Sequence, residues 1–468
     1  MDIKALKGIT QDSRAVKDGY LFAAFPGKKS DGRDFISAAI EHGACAVLGP
    51  EGTQLPAGAK NIELITDENP RKVFAHMAAK FYGSQPEHMV AVTGTNGKTS
   101  VVTFVEQLWA ASGYKASSMG TIKGNMTTPD PVALHAQLAD LSAAGVTHLA
   151  MEASSHGLDQ YRLDGVEIEA AGFTNLSHDH LDYHGSIDAY FEAKARLFSE
   201  ILKPKNDEEK WAVLNADSSE FGKLETLCLE HGVKVMSYGH KGKDLKILSI
   251  KPTANGQKLE LGVLGTHRDI TLPLVGEFQV MNALCALGLV IAKDPKNKAK
   301  YAQALEKIQG ARGRLQHVAG HPKNAAVYVD YAHTPDALEN VLKALRPHTE
   351  GKLVCVFGCG GDRDKAKRPV MGDVAHTHAD EVIVTDDNPR SENPADIRAA
   401  ILRTAQNAKE IGDRRRAIEH AILNLQERDV LVIAGKGHEQ GQVFADRTDP
   451  FDDVEEAEKI IQQLNDEV

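Results

Sequence analysis

Cysteine is scarce in this chain. Its five residues, Cys45, Cys228, Cys285, Cys355 and Cys359, are odd in number and scattered, mostly within apolar runs. That excludes a disulfide framework and points to reduced thiols in a cytoplasm. Cys355 and Cys359 lie four apart with no second pair, so a zinc site is not expected there. Positive charge is also short: the formal net charge is -11. A nucleic-acid backbone or an anionic membrane is therefore excluded as a general partner, although local basic pockets for anionic substrates remain open. No apolar run approaches the length of a membrane span, and Met1-Asp2-Ile3-Lys4 does not begin a signal peptide, so no membrane insertion is expected. The 468 residues are 42% hydrophobic and 25% charged, the composition of a globular α/β chain of roughly two to four domains.

What the chain does carry is a phosphate-binding pattern. Val90-Ala91-Val92 is a short apolar run readable as a buried strand. Gly94-Thr95-Asn96-Gly97-Lys98-Thr99-Ser100 follows, and then an apolar-periodic helix through Val101, Phe104, Val105 and Leu108. Glycines at 94 and 97 permit close backbone approach, and the amides of the turn and helix start can face a phosphate. Lys98 would add a charge for the β- and γ-phosphates, and Thr99 a hydroxyl for Mg²⁺. Val92 stands where the general P-loop pattern has its first glycine, so the loop is a tighter Thr-Gly-Thr-Asn-Gly-Lys-Thr form.

Ahead of this loop, residues 1–86 read as a small α/β unit. It has strands near Ile9 and Gly19–Phe25, a helix from Asp34 to His42, a strand at Ala44–Leu48 and a helix from Pro70 to Phe81. Asp12-Ser13-Arg14 reads equally as an anion site or a capped turn. Beyond the loop, strands and helices alternate to about residue 315. The strand Thr147–Glu152 ends on an acid, either an Mg²⁺ ligand at the carboxyl edge of a sheet or an ordinary strand-end carboxylate. Ala153–Gly157 reads as a polar, exposed turn. The strand Ala171–Leu176 runs into Ser177-His178-Asp179-His180-Leu181-Asp182-Tyr183-His184. A binuclear metallohydrolase signature fails there, because Tyr183 stands where a ligand histidine is needed and His184 comes one residue late. One hard-cation ligand from this cluster, or a solvated helix start, remains. Lys194 sits among Phe191, Ala193, Ala195, Leu197 and Phe198, and taken alone it reads as a snorkelling lysine. Gly310–Gln316 is a glycine-punctuated basic connector and a candidate hinge. From 316 to 468, four strands end in polar loops at Asp330, Gly358, Thr385 and Ala434, as a doubly wound sheet with its site at the carboxyl edge would require.

Four segments together give a close resemblance to a known family. Thr93–Thr99, Met151–Gly157, Asp179–His184 and Asp330-Tyr331-Ala332-His333-Thr334-Pro335 are similar to the motifs of the Mur ligases of bacterial cell-wall synthesis. The resemblance runs nearly end to end, from Asp12-Ser13-Arg14 to Gly435-Lys436-Gly437-His438-Glu439. It implies a three-domain α/β architecture: 1–86 for the UDP-substrate, 87–315 for ATP on a central doubly wound P-loop sheet, and 316–468, Rossmann-like, for an incoming amino acid. It also implies ATP-driven amide formation through an acyl phosphate, in a cytoplasmic enzyme expected to be a monomer.

Residue by residue, the resemblance places Gly94, Thr95, Asn96, Gly97, Lys98, Thr99, Ser100, Asn282, Arg314, Asp330 and His333 with ATP. Thr99, Glu152, His180 and a carbamylated Lys194 would hold Mg²⁺, and Lys98, Glu152, His180 and Lys194 would be catalytic. Ser13, Thr127, Thr128, Ser154, Gln160 and Arg162 match UDP-substrate contacts. Gln279 departs from the family's usual Gly-x-Phe-Asn pattern and carries less weight. Arg363, Asp387, Asn388, Pro389, Arg390, Gly435 and Glu439 match the amino-acid site. The Asp-Asn-Pro-Arg form is that of the branch adding meso-diaminopimelate to UDP-N-acetylmuramoyl-L-Ala-D-Glu, since a guanidinium can grip the second carboxylate that lysine lacks.

Overall fold

Residues 2–27, 30–122, 124, 126–253 and 255–466 are described by the computed structural model. Their contacts define two units, Met1–Lys243 with Cys285–Asn297, and Asp244–Leu284 with Lys298–Val468.

The first unit opens with four parallel strands in sequential order: β1 (Gly8–Thr10), β2 (Tyr20–Ala23), β3 (Ala44–Pro50) and β4 (Glu63–Asp67). Leu21, Ala23 and Leu48 pack against Phe74 and Ala78 of the helix Pro70–Tyr82. That helix starts where sequence chemistry places it: Asn69 accepts from the Lys72 amide and Pro70 fills the first turn. The expected helix over 34–42 is shorter, a 3₁₀ turn at Gly32–Phe35 followed by Ile36–Glu41. β4 has no counterpart in the sequence reading. Its residues are only partly buried and lack a regular alternation, so its pattern carries little signal.

A second sheet in this unit contains β5 (His88–Thr93), β6 (Ala116–Met119), β7 (His148–Glu152), β8 (Ala170–Phe173), β9 (Trp211–Asn215) and β10 (Lys234–Gly239) in the order β10-β9-β8-β5-β7-β6, with these neighbours paired in parallel. Met89, Val90, Ala91 and Val92 are buried, as a central parallel strand covered on both faces requires. The chain leaves β5 toward β7 and β6 and later returns to its other side as β8. The carboxyl end of β5 is thus the switch point of the sheet, where ligands of open α/β sheets bind. The expected exposed turn after β7 is instead a short helix, Ser155–Asp159, capped by the Ser154 side chain, and Ala153, Ser155 and Gly157 are buried.

The second unit begins with an antiparallel meander, β11 (Leu245–Thr253), β12 (Gly256–Val263) and β13 (Thr266–Leu272). Its main sheet joins β14 (Gln316–Val318), β15 (Ala326–Asp330), β16 (Leu353–Phe357), β17 (Glu381–Val384), β18 (Lys409–Glu410) and β19 (Val430–Ala434) in the order β14-β15-β19-β16-β17-β18. Only β14 pairs antiparallel. Two apolar clusters form around this sheet: one joins Val432 and Phe357 to Leu338 and Met371, the other Ile433 and Val356 to Ile418 and Ile460. The loops after β15, β16, β17 and β19 all leave from the carboxyl ends of parallel strands. Among the described residues, no helix is long and apolar enough to cross a membrane.

Candidate active site

The phosphate loop is held from β8's side. Gly94 has φ +148° and a Cβ there would meet the Thr174 hydroxyl at 1.9 Å, so no side chain fits. The Thr174 hydroxyl donates to the Asn96 carbonyl at 2.6 Å, and the Asn96 amide donates to Asn175 Oδ1 at 2.9 Å. Gly97, at φ 88°, caps the helix Lys98–Ala111. Lys98 Nζ donates to the carbonyls of Gly94 and Thr95, both at 2.8 Å. Ser100 is buried in the first turn of that helix.

Thr99 and Glu152 meet although they lie on different elements. The Thr99 hydroxyl donates to Glu152 Oε1 at 2.9 Å, and Thr121 contributes its amide to Oε1 at 2.9 Å and its hydroxyl to Oε2 at 3.2 Å. A hydroxyl and a carboxylate, both buried, are the hard oxygen donors Mg²⁺ accepts. Lys194 does not snorkel. It is 1% exposed, its Nζ donates to the Gly94 carbonyl at 2.8 Å and lies 4.2 Å from the centre of the Tyr190 ring. Burial, reinforced by Lys98, holds its pKa well below the ordinary lysine value. Burial favours the neutral form of this amine, the form that carbamylation requires. His180 has φ +52° and is half-exposed, its Nε2 3.6 Å from Asp179. No group of three or more His, Cys, Asp or Glu among the described residues could hold a metal ion. A Mg²⁺ at Thr99 and Glu152 would therefore need further ligands beyond these two side chains.

The residues matched to the UDP-substrate form one network, except Ser13. The Thr128 hydroxyl donates to the Glu152 carbonyl at 3.0 Å and accepts from the Ser154 amide at 3.0 Å. Arg162 donates to the Thr128 carbonyl at 2.7 Å and, through Nη2, to Gln160 Oε1 at 2.7 Å. Gln160 donates in turn to the Tyr183 hydroxyl at 2.9 Å. Thr127 reaches Thr121, hydroxyl to hydroxyl, at 2.9 Å. Burial, with the neighbouring His180 next in weight for His156, lowers the pKa of both His156 and His184 beside this network. Ser13 lies on a separate 3₁₀ turn whose Asp12 caps it and chelates Arg14 at 2.9 and 2.8 Å.

In the second unit, Asn282 donates to Gln279 Oε1 at 3.0 Å, and Gln279 donates to the Arg314 carbonyl at 3.3 Å. The Arg314 guanidinium lies 4.6 Å from the Tyr331 ring centre, and His333 Nδ1 is 2.9 Å from the Tyr331 carbonyl. Gln279, given little weight from sequence, thus links two residues matched to ATP. Asp330 accepts from the amides of Leu315 at 2.7 Å and Ala332 at 2.8 Å. It pins the 310–316 connector to β15, and burial raises its pKa.

The loops after β16, β17 and β19 converge. The Gly361 amide donates to the Asn388 carbonyl at 2.9 Å, and a Cβ at 361 would strike the Pro389 carbonyl at 1.9 Å. Arg390 has φ +51°; its amide donates to the Val443 carbonyl at 3.0 Å and its Nη1 to the Gly361 carbonyl at 2.8 Å. Asn388 donates to Glu439 Oε2 at 2.8 Å. Gly435 packs on Asp387, whose Oδ2 lies 2.6 Å from where a Cβ would sit. Arg363 is exposed, with Nη1 3.3 Å from the Asp362 carbonyl. Lys436, not singled out from sequence, is fully buried at the centre of this cluster. Its only sequence signal was its place between Gly435 and Glu439.

A model of the Mur ligase family catalytic domain matches residues 5–82, the Mur ligase middle domain matches 92–290, and the Mur ligase glutamate ligase domain matches 313–437. A Caulobacter vibrioides protein named UDP-N-acetylmuramoyl-L-alanyl-D-glutamate--2,6-diaminopimelate ligase is 51% identical, covering 98% of this chain and 96% of its own. A Rhizobium meliloti protein of the same name is 49% identical over 97% of this chain and 94% of its own. A solved structure of a ligase of that name superposes with a TM-score of 0.74 at 34% identity, covering 98% of this chain and 95% of its own. With three matched segments that span most of its length, the chain belongs to the Mur ligase family.

Proposed function

We propose that the chain is an ATP-dependent ligase that adds meso-diaminopimelate to UDP-N-acetylmuramoyl-L-Ala-D-Glu in peptidoglycan precursor synthesis. The observation that carries this reading is similarity over 98% of the chain, at 51% identity, to a protein named for that reaction. The terminal D-glutamyl carboxylate attacks the γ-phosphorus of ATP. A new O–P bond forms, the bond to the β-phosphate oxygen breaks, and ADP leaves. An amine of diaminopimelate then attacks the acyl carbon, the tetrahedral adduct expels phosphate, and the amine's proton is lost to give the amide.

The first step brings anions together, so the site must neutralise charge. Lys98 and the amides of Gly94–Ser100 face the phosphates in this reading. Thr99, Glu152, His180 and carbamylated Lys194 would hold Mg²⁺, which would offset the charge that builds on the phosphate oxygens. The adjacent oxygens of Thr99 and Glu152 support that assignment, as does the buried amine of Lys194. Residues 1–86, with Ser13, take the UDP end, and Thr127, Thr128, Ser154, Gln160 and Arg162 take the sugar-peptide part. Residues 87–315 bind ATP, with Asn282, Arg314, Asp330 and His333 contributing to the nucleotide. Residues 316–468 hold diaminopimelate, through Arg363, Asp387, Asn388, Pro389, Arg390, Gly435 and Glu439: Arg390 faces the second carboxylate and Glu439 pairs with an ammonium. We place the enzyme in the cytoplasm, where ATP is supplied and five free thiols would stay reduced.

The test is phosphate release with ATP, Mg²⁺ and the UDP-dipeptide, adding diaminopimelate or L-lysine in parallel. Release with diaminopimelate alone is expected. Release with lysine alone would keep the ligase and overturn the amino-acid assignment. No release with either would overturn the function.

A further inference from the structure

Lys436 is fully buried, yet its ammonium ends among polar groups of the amino-acid cluster. Nζ donates to Asn388 Oδ1 at 2.8 Å. It stands 3.7 Å from Glu439 Oε2 and 4.0 Å from Asp387 Oδ1. A second donor, the Val443 amide, reaches the same Asn388 oxygen at 2.9 Å. With two donors on Oδ1, the Asn388 side chain has one orientation, and its NH₂ faces Glu439 at 2.8 Å. Beneath Lys436, Arg414 is held by Asp453 through two bonds of 2.7 Å and donates to the Ala434 carbonyl at 3.0 Å. Arg414 is thus matched by its own carboxylate, and Lys436 is left to serve Asp387 and Glu439.

We infer that Lys436 is a positioning residue for diaminopimelate, which orients the Asn388 amide and leaves the Asp387–Glu439 pair with the charge to accept one ammonium. Two carboxylates against one buried ammonium sum to a single net negative charge, the complement of one substrate amine. Without the lysine, Asn388 can turn its amide, and the two carboxylates, 3.7 and 4.0 Å from the missing cation, lose the charge that offsets them. Lys436 touches no reacting atom in this account. Its loss acts on amino-acid binding and not on the ATP half of the reaction. The inference rests on the proposed function, since it names what the cluster holds.

The experiment compares wild type, Lys436→Met and Lys436→Gln by steady-state phosphate release, varying each of the three substrates in turn. In Lys436→Met the KM for diaminopimelate is expected to rise about tenfold to a hundredfold, the cost of losing a charged hydrogen bond. The kcat and the KM values for ATP and the UDP-dipeptide should stay near wild type. Lys436→Gln, which keeps an N–H donor but not the charge, should fall between. An unchanged KM for diaminopimelate overturns the inference, and so does a fall in kcat with all KM values untouched. If Met does not fold, Gln is read by the same criteria, and failure of both to fold overturns positioning in favour of a purely structural role. Absence of diaminopimelate-dependent release by wild type overturns the functional reading, a result the variants cannot mimic.

Discussion

Lys98 and Lys194 converge on one acceptor: each Nζ donates to the Gly94 carbonyl at 2.8 Å, one from the start of the helix after the loop and the other from a position 100 residues away from Gly94. Burial first, and the neighbouring Lys98 charge second, hold the Lys194 pKa well below the ordinary lysine value, and the neutral form of an amine can add carbon dioxide to become a carboxylate-like ligand. Lys194→Ala should lose about a hundredfold or more in kcat. A short-chain carboxylate such as acetate, entering the space left, should restore part of it. Unchanged turnover in the variant would remove Lys194 from the site.

Glu152 anchors Thr99 and Thr121. Glu152→Gln keeps the shape but removes the charge. Its kcat should drop about a hundredfold, and half-maximal activity should need more Mg²⁺. A Mg²⁺ titration that superposes on wild type would show that Glu152 only holds the two threonines.

Arg390 is held at its backbone by Val443 and at its guanidinium by Gly361, which leaves the rest of its fork available to a ligand. Arg390→Lys keeps the charge and loses the fork. The KM for diaminopimelate should rise about tenfold or more, with the KM for ATP unaffected. An unaltered KM for diaminopimelate would exclude a role in choosing the amino acid.

Acid stability follows from buried histidines. Burial pushes His135 down to about 4 from the ordinary 6.5, and His135 is 3% exposed against the Asp164 carbonyl. The unfolded chain binds this proton below about pH 6.5 while the native one does not until about pH 4, so stability falls as pH drops through that window. His135 alone costs about 3 kcal/mol at the acid end. Urea midpoints at pH 7 and pH 4.5 should separate less in His135→Gln than in wild type. Equal separations would assign the acid lability to other groups, His148 first, since it is also lowered to about 4.

Much of the fold was legible because its signals are local. β5, β7, β16 and β19 are apolar runs ended by polar loops, and a parallel strand buried on both faces has no other pattern. β4 was not, since a half-exposed strand with mixed residues looks like a loop. Ala153–Gly157 misled for a related reason. Ser154 and Ser155 read as turn residues, but Ser154 is a helix cap and Ser155 is buried, accompanied by His184 at 3.0 Å. Hydroxyls at a cap and hydroxyls in a turn share one composition and differ only in what packs on them.

By itself, the sequence determined the chemistry that depends on neighbours in the chain: a strand, a glycine turn, Lys98 and Thr99 at the head of a helix, and the Asp-Asn-Pro-Arg run with its guanidinium. Backbone geometry sets those spacings, so adjacent residues are enough. The tertiary structure alone decided which distant groups meet. β7 and β8 flank β5, so Glu152 meets Thr99 and Thr174 backs Gly94. β19 lies beside β16, which pairs with β17, so Lys436 reaches Asn388. It also decided charge. A lysine among apolar residues can snorkel or be sealed in, and only the packing around Lys194 removes its route to water. Strand order and burial are properties of the whole packed chain, because each contact depends on every layer that encloses it.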